Sequence, residues 1–295
     1  MIIVYGSIMQ LIRIESDPDQ RFEQFEFTKH YKNSVGGKAA LQAVAAAKAG
    51  AKIAICGKMG DDELAKHILA RLRKHGVITS AVGKTETIQT GTAIRLEHEE
   101  RTIIALGANT RASAEQLPNS VLHHDTILML QTELDAENNS ELLERAKEQG
   151  ATTILNISPK FQVSQEDLKN VDYAILSIKH KDKWSRIAGP LTENGQLTTI
   201  FICPYGDVEV LTRGKSSLLP EIQSDKLNWA YPEAFEDVFC GTFAAGLYAG
   251  QPLPKVLTRA HMAAALCASK PGGYDTLPYS GEVDEGLKDL EENKD

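Results

Sequence analysis

Short runs of apolar residues alternate with helical patterns along most of the chain. The apolar runs predict strands at Ile2–Gly6, Lys52–Cys56, Thr126–Leu130, Thr152–Asn156, Tyr173–Leu176, Thr199–Cys203 and Val208–Leu211. Apolar residues at helical spacing predict helices at Lys38–Ala49, Asp62–His75, Asn138–Gln149, Gln165–Lys169, Glu236–Ala249, Pro254–Ala268 and Val283–Asn293. Such alternation is typical of a mainly parallel sheet with helices on both faces. We therefore expect one α/β domain over residues 1–295, built as a three-layer sandwich.

Two pairs of segments depart from this alternation of strands and helices. Polar and apolar residues alternate singly in two pairs of segments, Ile8–Glu15 with Phe22–Tyr31 and Thr92–Leu96 with Thr102–Leu106. These hairpins, within residues 8–32 and 90–108, predict a small β-sheet that closes over one end of the domain, where a lid would enclose a substrate. Two alternatives remain open: the hairpins extend the main sheet, or they form a dimer interface.

Composition excludes several classes of function. The chain has 295 residues, 42% of them hydrophobic and 24% charged, and a net charge of −8, as in ordinary soluble domains. It carries no basic run that would suggest nucleic-acid binding, no apolar run long enough for a bilayer and no signal peptide. We therefore expect a cytoplasmic protein without nucleic-acid or membrane partners.

The sequence predicts no metal site. The four cysteines are widely spaced in apolar segments, which favours buried free thiols. His123-His124-Asp125 offers metal-binding side chains, but adjacent residues on a strand point to opposite faces.

The most informative stretch is residues 35–51, where Gly36-Gly37 precedes an alanine-rich helix that ends at Gly50. Paired glycines allow a ligand or another backbone to approach closely. The helix would direct its free N–H groups and its positive dipole end toward that point. The alternative is a tightly packed αβ unit without a ligand.

An acidic pair, Glu236-Asp237, begins a second helix rich in small residues. An aspartate at a helix N-terminus usually caps the helix, but it can also act as a general base toward a hydroxyl.

Together, these segments resemble the ribokinase-like (PfkB) family of sugar and nucleoside kinases along nearly the whole chain. The resemblance rests on Gly6-Ser7-Ile8, Gly36-Gly37-Lys38, Gly57-Lys58-Met59-Gly60-Asp61-Asp62, Thr90-Gly91-Thr92-Ala93, Gly107-Ala108-Asn109, Gln131-Thr132-Glu133, Asn156-Ile157-Ser158-Pro159, His261-Met262-Ala263-Ala264-Ala265 and Gly272-Gly273. No single match is specific, whereas the set is. It implies an α/β sandwich with a β-sheet lid.

The resemblance also implies ATP-dependent phosphoryl transfer to a hydroxyl of a sugar or nucleoside, with Mg²⁺. In the family, an aspartate after Gly-Ala-Gly removes the hydroxyl proton, and the preceding N–H groups form an anion hole. This run aligns with Ala234-Phe235-Glu236-Asp237, which makes Asp237 the implied base and Ala234, Phe235 and Glu236 the implied anion hole. The implied substrate contacts are Gly36, Gly37, Lys38 and Glu133. The implied nucleotide contacts are Gly206, His261 and Gly273.

Departures from the family pattern concentrate at the implied site. Glu236 places a carboxylate where phosphate charge develops, and two such charges a few ångströms apart repel by about 4 kcal/mol at an effective dielectric near 20. Phe235 adds bulk beside it. By the resemblance, Met9 and Leu11 replace an asparagine and an aspartate that hydrogen-bond sugar hydroxyls, and Leu41 replaces the asparagine of a Gly-Gly-Lys-x-x-Asn pattern.

Other departures affect the nucleotide side. Ser177-Ile178-Lys179-His180 replaces an Asn-x-x-Glu element that is linked to Mg²⁺ and phosphate. Tyr231-Pro232-Glu233 replaces Asp-Thr-Thr, so the aspartate that helps to hold a monovalent cation is missing, and use of that cation is doubtful.

Three hypotheses therefore remain open. The chain is a divergent kinase that uses Asp237, or a kinase-like binding protein that has lost phosphoryl transfer, or a scaffold whose lid hairpins form a homodimer. The sequence does not identify the acceptor, because the residues that would specify it are replaced.

Overall fold

The computed structural model describes residues 1–15, 27–28, 30–97, 101–160, 163–203, 208–219 and 234–292. Its strands are β1 (Ile2–Tyr5), β2 (Met9–Ile14), β3 (Tyr31–Gly36), β4 (Ile53–Gly60), β5 (Ile78–Thr85), β6 (Gly91–Leu96), β7 (Arg101–Ala105), β8 (Ile127–Gln131), β9 (Thr152–Asn156), β10 (Tyr173–Ser177), β11 (Thr198–Ile202), β12 (Val208–Thr212) and β13 (Lys215–Leu219). Its helices are α1 (Lys38–Lys48), α2 (Glu63–Lys74), α3 (Ala136–Glu148), α4 (Gln165–Leu168), α5 (Lys181–Glu193), α6 (Phe235–Tyr248), α7 (Leu253–Ala268) and α8 (Ser280–Glu292).

The central sheet has nine described strands in the order β13-β12-β11-β10-β9-β8-β1-β4-β5. All neighbours from β11 to β5 run parallel, and β12 and β13 are added antiparallel at one edge. Alternate residues of β1 point to two separate hydrophobic cores, Ile2 and Val4 to one and Ile3 and Tyr5 to the other. The first core includes side chains from α1, α2, α6 and α7, and the second from α3 and α5. The predicted mainly parallel sheet with helices on both faces is thus confirmed. Among the described residues, no helix is both long and apolar enough to cross a membrane.

The second sheet, which we call the lid, has the order β3-β2-β6-β7. β2 and β6 pair in parallel, whereas β3 and β7 are antiparallel edge strands. The small separate sheet is therefore confirmed, and these strands do not extend the main sheet. The predicted strand Phe22–Tyr31 lies mostly outside the described residues, and the partner of β2 begins where that prediction ends.

Two side chains fix the base of the lid. Asn109 accepts a hydrogen bond from the N–H of Ile8 (2.8 Å) and donates to the carbonyls of Ile8 (2.9 Å) and Leu106 (2.8 Å). Asp62 caps α2 through the N–H of Ala65 (2.7 Å) and also accepts from the N–H of Thr90 (2.8 Å). Both residues belong to the motifs recognised in the sequence.

The sequence pattern did not predict three of the described elements, β5, β13 and α5. Trp184 lies on the buried face of α5, and its Nε1 donates a hydrogen bond to the hydroxyl of Thr199 (2.9 Å).

The possible metal ligands His123, His124 and Asp125 lie in a turn before β8. One ligand atom from each of these three residues lies within 4.8 Å of the other two. The argument from opposite strand faces was therefore wrong.

The alanine-rich helix α1 packs against α6 at very short range. A Cβ added to Gly241 of α6 would lie 2.3 Å from the carbonyl oxygen of Gln42 and 2.7 Å from Cβ of Ala45. Because the first contact is with backbone, the two helices could accept a side chain at residue 241 only by moving apart.

We expect Gly241→Ala to lower the free energy of unfolding by about 1–3 kcal/mol, as overpacking does. Gly281→Ala is the matched control, because a Cβ on that helical glycine would meet no atom within 4 Å, and its effect should stay within about 0.5 kcal/mol. Urea unfolding curves measure both. Equal effects of the two substitutions would contradict the close packing of α1 on α6.

Candidate active site

The candidate site lies where the carboxyl ends of central strands meet the first turns of α1 and α6. Gly37 precedes α1 with φ +94°, and a Cβ on it would lie 2.5 Å from the carbonyl oxygen of Ser7. Only glycine combines this backbone conformation with such a close approach. The chain thereby places Lys38, the first residue of α1, against Asp237 in the first turn of α6.

Lys38 forms ion pairs with both acidic residues of α6. Its Nζ lies 2.9 Å from Oδ1 of Asp237 and 3.2 Å from Oε1 of Glu236. The side chains are 15%, 5% and 21% exposed for Lys38, Asp237 and Glu236 respectively. Burial alone would lower the pKa of Lys38, but the two carboxylates outweigh it and raise that pKa. Lys38 therefore stays charged at neutral pH.

The two carboxylate oxygens of Asp237 differ in their partners among the described residues. Oδ1 accepts from Lys38 and from Nε2 of Gln42, both at 2.9 Å. No residue of the described chain segments donates to Oδ2. Burial raises the pKa of Asp237, Lys38 opposes that shift and Glu236 adds to it, so that the pKa rises to about 6. A fixed carboxylate with a raised pKa is suited to accept a proton near neutral pH.

The carboxylate of Glu236 points toward Lys38, although the side chain remains partly exposed. Its Oε1 also accepts from Nδ2 of Asn156 (2.8 Å). Burial would raise the pKa of Glu236, but Lys38 and hydrogen bonds from Asn156 and Ser158 lower it. Glu236 is therefore ionised, and Lys38 offsets part of the repulsion that the sequence alone predicted. The ring of Phe235 packs edge-on against His261 in the core (6.1 Å, 83°), and Ala234 caps α6 without a side-chain hydrogen bond.

A chain of buried amides holds the acidic pair, and sequence reasoning missed it. Gln131 Nε2 donates to Oε1 of Gln42 (2.7 Å). Gln42 Nε2 in turn donates to Asp237 and to Oδ1 of Asn156 (3.2 Å). Gln42 and Asn156 are fully buried. The network joins β8, α1, β9 and α6, so it fixes the orientation of Asp237 from three neighbouring elements.

Glu133, an implied substrate contact, lies at the end of β8 and is buried. It accepts a hydrogen bond from the hydroxyl of Ser7, which itself accepts from the backbone N–H of Lys38 (3.0 Å). A cavity of about 320 Å³ opens beside Glu133 and is also lined by Asn109, Thr110 and Lys160. Glu133 is therefore linked to the Lys38 turn and faces space that a small ligand could enter.

The apolar replacements lie at the base of the lid. Met9 is almost fully buried at the start of β2. Leu11 and Leu41 are partly buried. Leu11 lies over Gly36, and a Cβ added to Gly36 would be 2.9 Å from the Cβ of Leu11. Met9 is therefore part of the core, whereas Leu11 and Leu41 retain surface beside the Lys38 turn.

The implied nucleotide contacts are only partly described. Gly206 lies outside the described residues, as does the Tyr231-Pro232-Glu233 segment. His261 is 2% exposed. Gly273 has φ +55°, and a Cβ there would lie 2.8 Å from Nη2 of Arg13. Their contact with a nucleotide stays a prediction.

Lys179 and His180 occupy a short turn directly after β10, so they lie at the same edge of the sheet as Asn156 and Glu236. Burial and the charges of Lys179 and Lys183 lower the pKa of His180, against an opposing effect of Glu236. The lowered pKa favours the neutral form of His180, and Lys179 and Lys183 supply the positive charge at this edge of the site.

Known proteins match this chain along its length. The ribokinase of Bacillus subtilis (strain 168) is 26% identical over 97% of this chain and 99% of its own length. The deoxyribokinase of Salmonella typhimurium is 31% identical over 53% of each chain.

Solved structures share the fold. The crystal structure of a ribokinase from Thermotoga maritima covers 98% of this chain and 99% of its own, with a TM-score of 0.86 and 24% identity. A ribokinase from Arabidopsis thaliana complexed with ribose and ATP matches with a TM-score of 0.82, 22% identity and coverage of 97% and 98% of the two chains. A putative ribokinase II from E. coli in complex with ATP and Mg²⁺ matches with a TM-score of 0.83, 15% identity and coverage of 98% and 99%.

The family match covers most of the chain. Residues 1–216 match the pfkB family carbohydrate kinase domain, which includes the lid, the Gly36-Gly37 turn and Glu133. Together with the relatives that span nearly the whole length, this match establishes that the chain belongs to the PfkB family of carbohydrate kinases.

Proposed function

We propose that this protein is an ATP-dependent carbohydrate kinase in which Asp237 is the general base. The observation that carries this proposal is the carboxylate of Asp237, held through Oδ1 by Lys38 and Gln42, while none of the described residues donates a hydrogen bond to its Oδ2. In the proposed step, Oδ2 takes the proton of an acceptor hydroxyl as its oxygen bonds to the γ-phosphorus. The bond from that phosphorus to the bridging oxygen breaks, and ADP leaves.

The remaining residues bind and orient. The first turn of α6 offers backbone N–H groups toward anionic oxygens, and Lys38 supplies a fixed positive charge beside it. Glu133 and the glycines Gly36 and Gly37 line the acceptor side. ATP supplies the phosphoryl group and the leaving group.

The described residues do not form a dedicated Mg²⁺ site. The carboxylates of Glu236 and Asp237 both pair with Lys38. Mg²⁺ prefers oxygen ligands, but the turn after β10 carries Lys179 and His180, which offer none from their side chains.

Calorimetric titration of ATP, with and without Mg²⁺, tests the donor site first. Micromolar binding followed by ATP-dependent phosphorylation of a sugar, in the wild type but not in Asp237→Asn, supports the proposal. No heat up to millimolar ATP would overturn it.

Glu236 favours a second candidate, a binding protein without phosphoryl transfer. Its ionised carboxylate lies in the turn that would receive phosphate charge, and Lys38 is already paired to it. This candidate predicts ligand binding without turnover, both in the wild type and in Glu236→Gln. If Glu236→Gln instead raises the rate of transfer, the protein is a kinase whose speed Glu236 limits.

The activity should depend on pH through Asp237. Because the base must be ionised and its pKa is raised to about 6, kcat/KM should fall about tenfold for each pH unit below that value. Measurement of kcat/KM between pH 4.5 and pH 8, with the coupling enzymes in excess, gives the decrease on the acid side. A flat profile down to pH 4.5 would contradict the assignment of Asp237 as the base.

A homodimer through the lid also stays a prediction. Ile103 and Ile104 on the edge strand β7 are 49% and 43% exposed, and light scattering over a concentration series tests whether a partner copy covers them.

A further inference from the structure

The turn before β8 carries three side chains of metal-binding type that the proposed transfer does not use. His123, His124 and Asp125 are all exposed, and their ligand atoms lie within 4.8 Å of one another. In the described part of the chain, this is the one group of three or more histidine, cysteine, aspartate or glutamate side chains that could hold a metal ion. The turn therefore offers two nitrogen ligands and one oxygen ligand to a common point.

The spacing of the ligand atoms suits a small divalent ion. Nε2 of His124 lies 3.3 Å from Oδ2 of Asp125. In a tetrahedral zinc site with bonds of about 2.0–2.1 Å, neighbouring ligand atoms are about 3.3–3.4 Å apart. This pair is therefore already at the separation that an ion between the two atoms requires. The exposed ring of His123 can reach the same point by rotation about its side-chain bonds.

Hydrogen bonds order the turn before any ion binds. The N–H of Thr126 donates to the carbonyl oxygen of His123 (2.7 Å) and closes the turn. The hydroxyl of Thr126 donates to the carbonyl oxygen of Val121 (2.8 Å) and joins the turn to the preceding residues. Because the backbone is already fixed, binding of an ion restricts mainly the three side chains.

The contacts that an ion would replace are weak. His124 and Asp125 are 82% and 72% exposed, and such exposed pairs contribute little to stability. Nδ1 of His123 accepts a long hydrogen bond (3.3 Å) from the N–H of Asp125. An ion at Nδ1 replaces this bond, and an ion at Nε2 requires the other neutral tautomer, in which Nδ1 carries the proton and the bond is lost. In either case, one long hydrogen bond is exchanged for a metal–nitrogen bond.

The ligand types select the kind of ion. Mg²⁺ and Ca²⁺ prefer oxygen ligands, whereas imidazole nitrogens suit zinc, nickel, copper and related transition-metal ions. Three protein ligands leave the fourth position of a tetrahedral ion for water. A cavity of about 740 Å³ adjoins the turn, and its lining includes His124, Asp125, Thr152, Tyr173 and Tyr248. An ion can therefore enter from solvent and keep a bound water molecule.

The turn lies at the opposite end of β8 from the candidate active site. β8 runs from Ile127 to Gln131, and Gln131 belongs to the amide network that holds Asp237. At about 3.3 Å per residue, the six residues from Asp125 to Gln131 span up to about 20 Å. An ion in the turn is therefore distinct from Mg²⁺ bound with ATP and takes no direct part in phosphoryl transfer.

We propose that His123, His124 and Asp125 bind a divalent transition-metal ion of the zinc type through two imidazole nitrogens and one carboxylate oxygen. The bound ion connects the three side chains of the turn before β8 and keeps water in its remaining position. The inference does not depend on the proposed function, because metal binding can be measured without nucleotide, acceptor or turnover.

Calorimetric titration of the full chain with ZnCl₂, in the absence of nucleotide, tests the site. We expect one Zn²⁺ per chain at about micromolar affinity, weaker than closed sites with four protein ligands. MgCl₂ should bind at least about 100-fold more weakly, since the site offers two nitrogen ligands. No Zn²⁺ binding up to about 1 mM, or equal affinities for the two ions, would overturn the inference.

Variants test which side chains bind the ion. His123→Ala and His124→Ala should each weaken Zn²⁺ binding about tenfold or more, since even the indirect partners of metal ligands contribute about 10- to 100-fold. His67→Ala is the matched control, because His67 is an exposed histidine on α2, and it should bind Zn²⁺ like the wild type. Unchanged affinity in both turn variants, or an equal loss in His67→Ala, would overturn the assignment.

A free thiol is the competing ligand for Zn²⁺, and Cys203 is a partly exposed free cysteine. Cys203→Ser should leave the Zn²⁺ affinity unchanged, and a loss as large as that in His124→Ala would overturn the assignment to the turn.

Nuclear magnetic resonance with substoichiometric CoCl₂ gives the location of the ion independently. Paramagnetic Co²⁺ should broaden the imidazole signals of His123 and His124, assigned from the two variants, before it broadens that of His67. Equal broadening of all three signals would overturn the site.

Discussion

Replacement of Asp237 by asparagine is expected to lower kcat by about 10²- to 10⁴-fold, the usual contribution of a general base. Asparagine has the same shape, and its carbonyl oxygen can still accept from Lys38 and Gln42, so the site should keep its structure. It cannot, however, take a proton from the acceptor. Steady-state kinetics give kcat, and calorimetry should show an affinity for ATP within a few-fold of the wild type.

The control is Asp125→Asn, which removes an exposed carboxylate in the turn before β8. That turn is at the amino end of the strand, away from the Lys38 turn, and kcat should not change. If Asp237→Asn retains most of the activity, another group is the base and the assignment fails.

Replacement of Lys38 by methionine is expected to lower the free energy of unfolding by about 3–5 kcal/mol at pH 7, because it leaves the buried carboxylate of Asp237 and the half-buried carboxylate of Glu236 without their cation. The loss should shrink at lower pH. Without Lys38, burial would hold the folded-state pKa of both acids above their unfolded values. Stability from such groups is fully present below the unfolded pKa and is lost as pH rises through the folded pKa.

Urea unfolding at pH 5 and pH 7 measures both the loss and its pH dependence. Lys84→Met is the control, since Lys84 and its partner Asp61 are 44% and 41% exposed and such pairs contribute about 0–1 kcal/mol. Adding Glu236→Gln to Lys38→Met should recover part of the stability, and a double-mutant cycle gives the coupling. Purely additive effects would contradict the ion pair.

Local signals predicted the elements that position the site. Each of these signals lies within a few residues of sequence: the glycine pair before α1, the acidic start of α6, and the apolar runs of β1, β8 and β9. α5 was missed because Gly189-Pro190 interrupts its pattern, although the residues on either side keep apolar positions at helical spacing. The helix accommodates Pro190 in its interior.

The contacts that define the site could not be read from local sequence. Gln42 and Asp237 are 195 residues apart, and nothing in either segment shows that they meet. The orientation of Glu236 depends on Lys38 and Asn156, which come from two other elements.

The hydrogen bonds of Asn109 have a consequence for amide exchange. They join Ile8 and Leu106 at the points where the chain passes between the main domain and the lid. Opening of the lid beyond this point would leave these hydrogen bonds intact. The amide of Ile8 should exchange with deuterium only in rare large openings, whereas amides of the edge strand β7 should exchange in frequent small ones. A substrate bound under the lid would slow exchange in β7 and leave that of Ile8 unchanged, so that one experiment would separate movement of the lid from unfolding of the domain.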